Sequence, residues 1–294
     1  MKKHVTRHLT YSCMKKVLLI PFFALLSVVG FSQELGYIQP VGIEIFNNPG
    51  FISSTSNRFK SNFRISNPGL NSQGLQHTTG YWHRFENIKS NIGAAYTSQQ
   101  FSESDYKSNR IDLTYAFEWK INRKFSLIPS LSGAYVLNEN QINSNYIDVS
   151  GGLVLKASQF FKVGYALHHY NQPEFEVAPS INAILIQRHN VFAIVQRKLN
   201  YKSRIAGFVN LNWQNGLESH FYGLLLQRKG IMIGGGINKD LHYMAMLRYR
   251  VQGLTLRYSY DAQNISGVNF TAHELGLEIK ISRKPRYNFP SISF

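Results

Sequence analysis

Residues 111–119 read Ile111-Asp112-Leu113-Thr114-Tyr115-Ala116-Phe117-Glu118-Trp119. Every second residue is Ile, Leu, Tyr, Phe or Trp, and the intervening ones are Asp, Thr, Ala and Glu. Side chains of a strand alternate between its faces, so this period of two predicts one apolar and one polar face.

The same dyad returns in residues 161–168 (FKVGYALH) and 254–261 (LTLRYSYD). It returns again near the C-terminal end, where Leu275, Leu277, Ile279 and Ile281 share a face opposite Glu274, Gly276, Glu278 and Lys280. Residues 147–156 and 205–213 follow it more loosely. Between the runs lie turn-like stretches at Asn122-Arg123, 138–145, Asn215-Gly216, Asn238-Lys239-Asp240 and 263–269. About 14 strands fit between Arg58 and Ile281, an even number of the kind found in single-chain bacterial barrels.

The fold class expected is all-β: a transmembrane outer-membrane β-barrel of about 14 antiparallel strands. A soluble β-sandwich also alternates. The barrel is favoured by aromatics recurring toward the ends of the apolar faces, as interfacial girdles require: Tyr81, Trp82, Tyr96, Phe101, Trp119, Phe125, Tyr135, Tyr165, Trp213, Tyr258 and Tyr260. The polar faces carry Asp112, Glu118, Asp148, Lys156, Lys162, His168, Asn210, Asn212, Arg257, Asp261, Glu274, Glu278 and Lys280. Both signs are present, so the expected lumen is laced with ion pairs and substantially filled.

Composition agrees. Aromatic residues make up 14% of the 294 residues, while charged residues are only 16%, below the roughly 25% of an average soluble protein. No stretch after residue 32 approaches the roughly 18 consecutive apolar residues of a membrane-spanning helix. Any membrane crossing is therefore by strands.

Residues 1–32 are expected to be a signal peptide with an upstream extension. Lys15-Lys16 precede an uncharged run at 17–30, and Gly30 and Ser32 stand ahead of a cut before Gln33. The run is short for a bilayer and contains Pro21, and Met14 is the more ordinary start for such a signal. The single cysteine, Cys13, falls before that cut, leaving no thiol for disulfides or thiolate metal sites. Removing residues 1–32 takes away five basic residues and no acids, so the net charge falls from +16 to 27 − 16 = +11. For an exported chain without a clustered basic stripe, that surplus points to outer-membrane lipid or acidic partners and not to nucleic acid.

Catalytic chemistry has little support. No Gly-x-Ser-x-Gly, His-Glu-x-x-His or Gly-x-x-x-x-Gly-Lys pattern occurs. Adjacent strand residues face opposite ways, so neither His168-His169 nor His273-Glu274 is expected to grip one ion. Gly234-Gly235-Gly236 reads as a strand with close backbone packing. The chain is expected not to be an enzyme and to need no cofactor.

Two stretches carry a resemblance. Tyr37 is followed by Phe46-Asn47-Asn48-Pro49-Gly50, and near the end come Tyr258-Ser259-Tyr260-Asp261, Ile265-Ser266 and His273-Glu274-Leu275. Together they resemble the PorP/SprF family of type IX secretion system membrane proteins of the Bacteroidetes. Members open with an Asn-Pro-Ala-Tyr-Ala-Gly-like segment and close with a Tyr-Ser-Tyr-Asp strand, a Ser-containing turn and a His-Glu strand. Residues 149–155 and 161–168, ending at Gln172-Pro173, resemble the family's paired middle strands. Gly50 and Phe51 replace the usual Ala-Tyr, and the tail lacks the cysteine often present there.

The resemblance implies an outer-membrane barrel working with type IX translocon components. Its implied task is secretion or surface anchoring of adhesins bearing a type B C-terminal domain, in gliding or adhesion. The family-signature positions are Asn47, Asn48, Pro49, Gly50, Tyr258, Tyr260, Asp261, Ser266, His273 and Glu274. The organisation expected is a plug or lead-in segment at 33–56, the barrel at 57–282 and a basic tail at 283–294. Cargo contact is expected on loops such as 138–145 and 263–269. The alternative function is a channel or transporter for small or hydrophobic molecules.

Overall fold

A computed structural model describes residues 48–52, 57–67, 73–102, 106–139, 144–158, 160–178, 181–214, 217–238, 242–265 and 268–281. After a 3-10 turn at Pro49–Ile52 the chain is β-structure: β1 (Asn57–Ser66), β2 (Gly74–Phe85), β3 (Ser90–Phe101), β4 (Tyr106–Phe117), β5 (Trp119–Lys120), β6 (Phe125–Glu139), β7 (Ser144–Ala157), β8 (Phe161–His168), β9 (Glu174–Ala178), β10 (Ile181–Ile184), β11 (Arg188–Lys198), β12 (Ser203–Gln214), β13 (Leu217–Arg228), β14 (Ile231–Asn238), β15 (Tyr243–Val251), β16 (Leu254–Ile265) and β17 (Val268–Ile281).

Each strand pairs antiparallel with its sequence neighbours. β8 continues to β11, β1 pairs with β17, and β4 pairs with β6 across the two-residue β5. Because β5 continues β4, the result is a closed barrel of 14 strands, as the period of two predicts. Closure leaves no edge strand, so the hydrogen-bonded ladder runs round the wall where water is absent.

The β4–β5 break has a local cause. Ala116 pairs with Ser130 and Trp119 with Leu127, which keeps one register and sets Phe117 opposite Pro129. Proline has no N–H to give the ladder. On the other side of the strand the β3–β4 pairing continues, with the Glu118 amide donating to the Lys89 carbonyl at 2.9 Å.

Alternation fixes an inverted molecule. In β1, Arg58, Lys60, Asn62 and Arg64 are buried, while Phe63 is 40% exposed. Ile111, Leu113, Tyr115 and Trp119 face outward, and Asp112, Thr114 and Glu118 are buried inside. An apolar wall around a polar lumen is stable only with the wall in lipid.

The rim that carries residues 57 and 281 is closed by short turns at 86–89, 121–124, 199–202, 229–230 and 252–253. In the last of these, Gln252 (φ 46°) and Gly253 (φ 99°) are both left-handed, the type I′ geometry that suits strand twist. At 121–124 the Asn122 side-chain oxygen accepts from the amides of Lys124 and Phe125, at 2.8 and 2.9 Å. The opposite rim carries the long connection at 169–187, which contains the β9–β10 hairpin.

Two sequence expectations change. Residues 263–265 and 268–269 belong to β16 and β17, so the expected loop at 263–269 shrinks to 266–267, which lie outside the described residues. At 138–145, strand β6 runs on to Glu139 and β7 starts at Ser144. Alternating polar residues continue a ladder as well as apolar ones do, so polarity alone placed those strand ends too early. The expected signal, residues 33–47 and 53–56 of the lead-in, the tail, Asn47 and Ser266 also lie outside the described residues.

Candidate functional site

The lumen is where this chain concentrates its chemistry, and the signature turn lies inside it. Asn48, Pro49, Gly50, Phe51 and Ile52 are all buried. Asn48 Oδ1 accepts from the Gly50 amide at 2.8 Å, and the Asn48 carbonyl from the Phe51 amide at 3.1 Å. This Asx-type closure explains why Asn precedes Pro-Gly. Glycines on the inner wall admit the turn: a β-carbon on Gly152 would lie 2.4 Å from Asn48 Oδ1, and one on Gly164 2.9 Å from the Phe51 ring. Gly50 is needed too, since its β-carbon would lie 2.7 Å from Val154. The Phe51 ring then meets Phe192 edge-on, with centroids 5.3 Å apart.

Phe51 and Ile52 open onto an apolar region that polar-face reasoning misses. Phe192, Ile194, Phe208, Phe221, Leu225, Met232, Met244 and Met246 point inward from β11–β15 and are buried. The inner rings lie over bare backbone: the β-carbons absent from Gly223 and Gly236 would sit 2.3 Å from Phe208 and 2.5 Å from Phe221. Gly234-Gly235-Gly236 is thus a strand with close packing, as its sequence indicates. On the membrane side of the same wall, Ala193, Gly207 and Gly235 floor an apolar groove of about 530 Å³ walled by Val195, Tyr222 and Leu224.

Trp82 is a correction of the same kind. It was expected in the outer aromatic girdle, yet it is 3% exposed and faces inward. Its indole lies on Gly93 and Gly80, where β-carbons would come within 2.2 and 2.5 Å, and Lys60 Nζ sits 5.8 Å from the ring. Glycine on two neighbouring strands makes room for a flat ring inside the barrel, a relation invisible along one strand.

The opposite half of the lumen is ionic. Glu278 lies 3.3 Å from both Arg58 and Arg257. Asp261 accepts from Arg64 at 3.1 Å and contacts His242 Nε2 at 2.8 Å. Glu118 bridges Arg84 at 3.0 Å and Lys156 at 3.7 Å. Asp148 takes Arg110 at 2.7 Å and His169 at 3.0 Å. Glu274 is 1% exposed, and both its oxygens are without a hydrogen-bond donor among the described residues.

The signature pair His273 and Glu274 parts as alternation requires. Glu274 points inward, while His273 faces outward and bonds Tyr258 Oη at 2.8 Å, with the Tyr260 ring 5.2 Å away. Asp261, two strand positions from Ser259 and next to Tyr260, points inward with Glu274. Comparable outer pairs join Tyr165 to His189 at 2.7 Å and Tyr96 to Asn109 at 2.7 Å. Amphipathic rings holding polar partners on an apolar wall are what a membrane interface stabilises.

His168 and His169 do not alternate as expected. His169 follows β8 with φ 56°, which turns its ring toward the lumen-lining Asp148 beside His168, at a ring separation of 6.2 Å. Among the described residues no three His, Cys, Asp or Glu side chains come together as a metal site.

Solved structures share this architecture. The toluene transporter TbuX of Ralstonia pickettii superposes with a TM-score of 0.55 at 9% identity, covering 87% of this chain and 96% of that one. Omp33 of Acinetobacter baumannii gives 0.52 at 7% identity, covering 77% and 98%. A FadL homologue of Pseudomonas aeruginosa gives 0.50 at 11% identity, covering 81% and 93%. At such identities the likeness establishes the fold, an outer-membrane-type barrel. No curated protein matches the sequence significantly. The sequence profile described as "Type IX secretion system membrane protein PorP/SprF" matches residues 43–279, from before the buried signature turn into the last strand. This barrel therefore belongs to the PorP/SprF family of type IX secretion system membrane proteins.

Proposed function

We propose that the protein is an outer-membrane anchor or receptor that serves the type IX secretion apparatus and retains a secreted adhesin through its type B C-terminal domain, without catalysing a reaction. The observation that carries this reading, beside family membership, is the crowded lumen. Charged side chains such as Arg58, Arg64, Glu274 and Glu278 are at most 4% exposed inside a wall whose ladder closes all round. Such an interior suits a rigid scaffold better than a passage. In this reading the rim bearing residues 57 and 281 faces the periplasm, and the 169–187 connection faces outward, the usual arrangement of short turns and long loops. Residues 48–52 act as a small internal plug, and residues 1–32 direct export and are removed.

The test is deletion of the gene. Type B cargo should be shed or left unsecreted, and affinity purification from outer membranes should recover a secreted adhesin together with translocon components. Unchanged surface cargo in the deletion strain would rule the anchoring role out.

A second reading, transport of hydrophobic molecules, draws on the apolar groove backed by the apolar half of the lumen across Gly223 and Gly236. Two of the similar structures bear the names of a toluene transporter and a FadL homologue. Against it, β14 stays in continuous register with β13 and β15, leaving no lateral gap there. Uptake of a hydrophobic probe dependent on the gene would favour this second reading.

A further inference from the structure

Between Arg188 and Lys239 the sequence has one acidic residue, Glu218, and it stands near the start of β13, at the rim opposite the short turns. Strands β8 and β15, on either side of this sector, add none. The cations of the sector gather at the other end. Arg197, Lys198, Lys202, Arg228 and Lys229 are all exposed where β11–β14 meet their turns. The turns at 199–202 and 229–230 are tied together, the Lys229 amide donating to the Lys202 carbonyl at 2.8 Å. One stretch of rim thus carries a positive cluster whose own part of the wall supplies no acid beside it.

The apolar groove on the membrane side lies on the same four strands. Val195, Gly207, Leu224 and Gly235 form one outward row in which large and bare positions alternate. The next outward position toward the rim on β11 is Arg197, and Arg228 stands two outward positions beyond Leu224 on β13. No charged side chain lines the groove itself. Internal packing does not dictate its floor: a β-carbon on Gly207 would meet Leu224 Cδ2 at 3.7 Å and the Gly223 carbonyl oxygen at 3.9 Å, both ordinary contacts. The barrel leaves this space open to the membrane and sets guanidinium groups at its head.

We propose that this face binds an acidic phospholipid, with one acyl chain in the groove and the phosphate held by Arg197 and Arg228, in the leaflet beside the short turns. Every lipid can offer a chain, so the anionic head is what singles out the occupant. Guanidinium forks match phosphate oxygens, and basic side chains near a membrane surface attract acidic headgroups. Lys198, Lys202 and Lys229 extend the positive field around that head. A second copy of the barrel fits the face less well. Among the described residues the exposed acid it would offer at this rim is Glu86, so two copies would meet largely as like charges. The inference goes beyond the anchoring role and does not depend on it.

The experiment uses the whole protein in micelles of a neutral detergent. Phosphatidylglycerol and phosphatidylcholine with the same acyl chains are added in equal amounts, and native mass spectrometry reads the lipid retained. Phosphatidylglycerol should be retained saturably and at least fivefold over phosphatidylcholine. Arg197→Gln/Arg228→Gln should bring that preference close to parity. Lys120→Gln/Lys124→Gln, the same charge loss on exposed residues elsewhere on the rim, should preserve it. Gly207→Leu, which fills the groove, should lower phosphatidylglycerol retention fivefold or more. If Gly207→Leu fails to fold, the arginine variant carries the test. Equal retention of the two lipids by the wild type, or undiminished preference in the arginine variant, overturns the proposal. So does a dimer that Gly207→Leu abolishes while no lipid is retained.

Discussion

Asn48 and Gly152 are matched as peg and socket: the space a β-carbon on Gly152 would take is filled by Asn48 Oδ1, 2.4 Å from that position. The pairing joins the first described residue of the chain to the middle of β7, about a hundred residues on in sequence order. Signature turn and barrel wall therefore specify each other.

Gly152→Ala should force Asn48 and the nearby Ser130 hydroxyl aside and destabilise the barrel by about 1–3 kcal/mol, the usual cost of overpacking. Gly133→Ala is the control. Nothing lies within 4 Å of its β-carbon position, and its effect should stay within about 0.5 kcal/mol. Urea unfolding of the two variants in micelles measures the difference, and equal midpoints would refute the fit.

Trp82→Ala removes a ring seated on two glycine backbones and should cost about 3–5 kcal/mol. Trp82→Phe should cost less, because a flat ring remains over Gly93. Were Trp82 on the membrane face, either change would be small, so tryptophan emission offers an independent check: the wild-type signal of this position should resist quenching by brominated lipid.

Arg64→Ala leaves Asp261 and Glu274 facing each other in the lumen without their nearest strand-β1 cation. Breaking a buried pair from one side typically costs about 3–5 kcal/mol. The Arg64→Ala/Asp261→Ala double variant should lose less than the sum of the single losses, and a double-mutant cycle reads the coupling directly. Additivity would mean that the pair is not coupled.

Tyr258→Phe deletes the hydroxyl that bonds His273 on the outer wall at 2.8 Å while keeping the ring. The loss should be about 0.5–1.5 kcal/mol. A loss much larger than that would place the pair in the protein interior instead of at the membrane surface.

The crowded lumen should give only small single-channel conductance in planar bilayers. Large, steady, ohmic steps from the purified wild-type protein would contradict the closed interior. Gly50→Val, which drives a side chain into Val154 and the wall, should dislodge the 48–52 turn and raise conductance above the wild-type level.

The barrel was legible from the sequence because alternation is a local property. A run such as 111–119 must turn its aromatics to one side whatever the rest of the chain does, and repeating that run about 14 times leaves few alternatives to closure in a membrane. The inward placement of Asp112, Glu118, Asp148, Asp261 and Glu278 follows from the same parity. What parity does not tell is which face a tryptophan chooses when both faces are partly apolar. Trp82 lies inside because Gly80 and Gly93, one on its own strand and one on the next, leave a slot for it. The apolar half of the lumen was hidden for the same reason: Phe192, Phe208 and Phe221 alternate with residues that are also apolar, so no contrast marks the inner side. His169 escaped because a single left-handed residue resets the alternation. Sequence thus decided the fold, the polar lining and the family signature, while cross-strand register alone decided where the signature turn sits, which glycines receive it, and which buried cations meet Glu278 and Asp261.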